Sequence, residues 1–164
     1  MNNFIIAYCK ALLIPIFMIT TLLGLFGCSA NNTKTITSLE SMTLTLQGMR
    51  GSSVYEVISD SQKTELNIYR KVFSNGEYVL KLEKSTVCDT QEFIKLMNDC
   101  NVIRWDGFHG KHPRNVKDGI MFDFTASVNE GQTIHADGSA NFPKGYNEFV
   151  RALNDMLTKS ETTE

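Results

Sequence analysis

Residues 120 to 128 place Ile120, Phe122, Phe124, Ala126 and Val128 on one side of an extended chain and Met121, Asp123, Thr125 and Ser127 on the other. A period of two sustained over nine residues predicts a half-buried β-strand and excludes a helix, whose apolar residues recur every three or four positions. Thr133 to Ala140 is the expected partner strand. A three-residue loop, Asn129-Glu130-Gly131, with Gly131 in the left-handed conformation, pairs Val128 with Gln132, Ala126 with Ile134, Phe124 with Ala136 and Phe122 with Gly138. One more loop residue would set Ala126 against His135 and break the apolar match. A hairpin with one apolar face calls for a core on that face and leaves the other to solvent.

The same alternation and β-branched content predict strands at Thr43 to Gln47, Ser53 to Ser59, Glu65 to Val72 and Tyr78 to Glu83, the last two joined by a turn at Ser74-Asn75-Gly76. Leu66, Ile68 and Val72 form one apolar row and Tyr78, Leu80 and Leu82 another, which together give the sheet one apolar face for the helices and one mixed face. Asp89 and Glu92 stand at capping-box spacing ahead of a helical stripe of Phe93, Leu96, Met97 and Cys100. A last helix, with Pro143 at its first position, carries Tyr146, Phe149, Val150, Leu153, Met156 and Leu157 on one face. Gly145 would weaken its first turn by about 1 kcal/mol relative to Ala. This order predicts an α+β domain over 42–159, an antiparallel sheet of about six strands with two helices packed on one face, followed by a tail over 160–164.

The first 28 residues hold one cation, Lys10, and then no charge from Ala11 to Gly27. Residues 1–27 read as a secretory signal peptide. Their end, Leu25-Phe26-Gly27-Cys28, resembles the lipobox of bacterial lipoproteins, with Phe26 bulkier than its slot usually holds. The resemblance implies that Cys28 is lipidated and becomes the new N-terminus, with the domain held outside the cytoplasm, in the cell envelope, by a tether over 28–41. More than one acyl chain makes such an anchor stable at about 0.8 kcal/mol per buried methylene. The alternative is an uncleaved membrane anchor, since 11–27 sits at the short limit of a bilayer span.

Lys10 aside, the chain has 15 cations against 18 carboxylates, a net charge near −3 that gives no reason to expect nucleic acid as a partner. Cys88 and Cys100 bracket the first predicted helix, whose rise of about 18 Å exceeds the reach of a disulfide, so two free thiols are expected. Neither has a second Cys or His at zinc-ligand spacing, and no cofactor is expected.

Two stretches hold candidate chemistry. In the hairpin register Asp123 faces Asp137 and Thr125 faces His135. Two carboxylates with a His alongside suit a metal ion or an acid/base pair, and equally a solvated pair relieved by a cation such as Lys81. Residues 104–119 gather Trp105, His109, His112 and several cations, a candidate anion or glycan site with Trp105 as stacking platform and Arg104, Lys111 and Arg114 as donors. Gly110 and Pro113 argue against a helix that would bring His109 and His112 to one face as metal ligands. The same stretch is explained by a Trp that plugs the core and by turn pairs at Asp106-Gly107 and Asp118-Gly119.

Trp105-Asp106-Gly107-Phe108, Asp118-Gly119, His135-Ala136-Asp137-Gly138-Ser139 and Asn141-Phe142-Pro143, in this order over about 78–158, resemble a family of small uncharacterised bacterial lipoproteins. That resemblance implies no activity. The expected function is a non-catalytic ligand- or protein-binding domain of the cell envelope, whose partner is an envelope protein or cell-wall ligand. The alternative is a small envelope hydrolase or metal-dependent enzyme using Asp123, Asp137 and His135. It has no G-x-S-x-G or HExxH motif behind it.

Overall fold

The computed structural model describes residues 34–49 and 51–159. The expected signal peptide, Cys28 and the expected tail over 160–164 lie outside the described residues. Among the described residues there are seven strands: β1 (Leu39–Gly48), β2 (Gly51–Ser59), β3 (Lys63–Ser74), β4 (Glu77–Asp89), β5 (Phe108–Gly110), β6 (Met121–Val128) and β7 (Gln132–Ser139). The helices are α1 (Thr90–Asp99) and α2 (Tyr146–Lys159), with a 3-10 turn at Val102–Trp105. No described helix is long and apolar enough to cross a membrane.

All strands join one sheet in the order β4-β3-β2-β1-β6-β7-β5. The sheet is mixed rather than antiparallel, because β5, a seventh strand, runs parallel to β7. The chain reaches it from the far edge: after β4 it crosses beneath the sheet through α1 and the 3-10 turn before emerging beside β7. Three residues are too few to display a period, which is why β5 escapes a pattern search.

The core lies on the helix side. Met42 and Leu44 of β1, Tyr55 and Val57 of β2, Leu66 and Ile68 of β3, and Phe122, Phe124 and Ala126 of β6 meet Phe93 and Met97 of α1 and Phe149, Leu153 and Leu157 of α2. Asp89 caps α1 by accepting from the amides of Gln91 (2.8 Å) and Glu92 (3.1 Å). Cys88 and Cys100 are both free, and burial pushes both thiols up from their ordinary range.

Four boundaries and faces differ from expectation. The domain begins before residue 42, because Ile36 and Leu39 are buried and clamped by two asparagines. Asn98 exchanges two 2.9 Å bonds with the backbone of Ile36, and Asn129 Oδ1 accepts from the amide of Thr37 (2.7 Å). Tyr78, Leu80 and Leu82 face away from the helices: a bulge at Glu83, where Ile68 pairs with Lys84 but Tyr69 with Leu82, inverts the alternation of β4 above it. Ile120 precedes β6 and is half exposed. Pro143 and Gly145 precede α2, and Gly145 has a positive φ of 87° where an added Cβ would lie 2.2 Å from the Cys100 carbonyl oxygen. Close packing, not helix propensity, dictates glycine there.

Candidate functional site

The register of β6 and β7 matches the expected one pair for pair, so Asp123 faces Asp137 and Thr125 faces His135 on the side away from the helices. On this side a row runs from strand to strand: His109, Asp137, Asp123, Thr45, Val54, Tyr69, Leu82. The helices pack on the opposite side, and the loop over 111–118 meets this one at its end, where His112 bonds Ser139. One half carries carboxylates and imidazoles. The other mixes exposed apolar side chains, Ile58, Phe73, Tyr78, Leu80, Leu82 and Val87, each 49–68% exposed, with Glu56, Glu65 and Lys71.

His109 is the member that spacing along the chain did not find. Its parallel pairing with Asp137 sets its Nδ1 against Asp137 Oδ1, to which it donates a hydrogen bond. His135 Nε2 lies 3.9 Å from the same oxygen, and its Nδ1 lies 3.4 Å from Thr125 Oγ1. Asp137 is therefore the hub of a His109-Asp137-His135 cluster, all three partly exposed. Asp106 holds the cluster in place by accepting from the His135 amide (3.2 Å), while the Gly107 amide donates to the His135 carbonyl (2.9 Å). Among the described residues no three His, Cys, Asp or Glu side chains are grouped as metal ligands.

The 104–119 stretch splits between core and surface. Trp105 is 1% exposed, edge-on to Phe124 and Phe149, and donates from Nε1 to the Lys144 carbonyl (3.0 Å). It is a core plug, which removes it as a stacking platform for a ligand. Arg104 and Arg114 are exposed on separate segments, the 3-10 turn and the following loop. His112 does not join His109: its Nε2 donates to the Val116 carbonyl (2.7 Å), and its Nδ1 accepts from the Ser139 hydroxyl (2.8 Å), so the ring pins the loop. Gly110 and Gly138 pair beneath Asn141, whose carbonyl would lie 2.2 and 2.5 Å from an added Cβ at either position.

Two grooves open at the end of the sheet where the β1–β2 turn meets residues 118–121. The larger, about 600 Å³, includes Leu46, Met49, Arg70, Asp118 and Ile120. The other, about 570 Å³, includes Lys71, Tyr78, His112 and Lys117. Asp123, His135 and Asp137 line neither, nor do Arg104, Lys111 and Arg114. The expected anion donors and the carboxylate pair thus lie outside both grooves, the pair on the face of the sheet away from the helices.

Compared with protein-family models, with curated proteins and with solved structures, the chain has no significant match.

Proposed function

We propose that this chain is a cell-envelope lipoprotein, anchored to a bacterial membrane through lipid on Cys28, whose domain binds a protein partner through the bare face of its sheet without catalysing a reaction. The observation that carries the reading is the composition of that face: exposed apolar side chains beside a His109-Asp137-His135 polar cluster, with no described helix packed on that side. An apolar patch bordered by polar groups is the usual make-up of a docking surface. A hydrolase reading of Asp123, Asp137 and His135 is weakened by their position on an exposed face outside both grooves, where water has free access.

The test uses the full chain in its membrane. A photo-crosslinking side chain at Thr125 or Ile58 is expected to yield a discrete heavier adduct, and the same probe at Arg151, exposed on α2, to yield none. Equal adducts at both positions, or none on the face, would sink the binding reading. Cys28→Ala should release the chain from membranes; retention of an unprocessed chain would replace the lipid anchor with an uncleaved helix.

A further inference from the structure

The two edges of the sheet are treated differently. β5 ends one side with three residues, too short to template another strand, whereas β4 ends the other with thirteen. No described strand pairs with the outer edge of β4. Long edges with apolar side chains and no proline invite strand addition unless charges oppose it. The residues of β4 nearest the β3–β4 turn read Glu77-Tyr78-Val79-Leu80-Lys81, a sequence whose charges and apolar groups are placed symmetrically about Val79.

We propose that β4 is an interface for a second copy of this chain, paired antiparallel about a twofold axis through Val79. In that register Val79 meets its own copy, Tyr78 meets Leu80 of the copy twice, and Glu77 meets Lys81 of the copy twice. Neither Glu77 nor Lys81 has an ion-pair partner among the described residues. The register supplies each with an opposite charge on the same face. On the bare face it also extends an apolar row: Phe73 packs edge-on against Tyr78 at 5.2 Å, and Leu80 of the copy would lie on the other side of Tyr78. Shifting the pairing by two residues, to centre it on Leu80, would set Val79 against Lys81 and Glu77 against Glu83, which is why the Val79 register is favoured. The arrangement is isologous, so both copies use one patch and the pairing closes at two.

Val79→Cys in the full chain tests the register. Facing Cα atoms in an antiparallel pair lie about 4.5–5.5 Å apart, within the span of a disulfide. Under a mild oxidant this variant is expected to form a dimer well above the background of the native cysteines, whereas Val87→Cys, on the same strand and exposed, is not. Glu77→Lys and Lys81→Glu should each weaken association about two- to thirtyfold, two contacts being lost per dimer, and the double variant should restore it. No dimer at 79, equal cross-linking at 87, or failure of the double variant to restore association would overturn the proposal. None of these outcomes touches the reading of the Thr125 half of the face, which the probe there decides separately.

Discussion

Trp105 shows how one residue settles the role of a stretch. Its indole is enclosed by Phe124, Tyr146 and Phe149, with its one polar atom satisfied by the Lys144 carbonyl. Trp105→Ala is expected to cost about 3–5 kcal/mol, and Trp105→Phe distinctly less, as read from urea unfolding midpoints. Had Trp105 been a ligand platform, truncating it would leave stability unchanged. At this scale the sequence was only partly legible. A lone Trp in a polar stretch can serve core or surface, and only its neighbours decide. His109 was less legible still, because its contact with Asp137 arises from parallel pairing between strands 28 positions apart in the chain. Asp123 and Asp137, by contrast, were legible as facing residues because a strict period of two and a short loop leave one register that keeps every apolar residue on the core side.

At the scale of elements, α1 is specified locally: Asp89 satisfies two of its free amides, and Phe93, Ile94 and Met97 bury its inner face. Asp89→Ala should therefore cost about 1 kcal/mol, with Asp89→Asn nearly neutral, since asparagine caps equally well. A chemical denaturation curve for each variant checks this. If both substitutions had the same effect, the capping account of α1 would fail. The faces of β4 are illegible in the sequence for the opposite reason. Its bulge at Glu83 inserts one residue and exchanges the two faces, and no residue type announces a bulge. The entry segment looks like tether in the sequence because Ile36 and Leu39 are too sparse to show a period, and the backbone beside them is held by Asn98 and Asn129, from α1 and the β6–β7 loop.

The whole molecule follows from how two helices are shared by a wide sheet. Both pack on one side, α1 crossing from the β4 edge toward the β5 edge, and the second face of the seven strands carries no described helix, only the loop over 111–118 against one end of it, where His112 bonds Ser139. That asymmetry is the central feature from which a docking role is inferred. It predicts different behaviour of the two sides of the domain in the cell and in isolation. The direct measurement is the labelling rate of the full chain carrying Thr125→Cys on the bare face or Arg151→Cys on α2, using a maleimide that does not cross membranes. Burial pushes the native Cys88 and Cys100 thiols up, which keeps their background reaction slow. In the purified folded chain both introduced cysteines should react fast. In intact cells the account predicts fast labelling at 151, since it places the domain outside the cytoplasm, and slow labelling at 125, since it has a partner covering the face. Equal rates at 125 and 151 in cells, or an unreactive 125 in the purified chain, would contradict it.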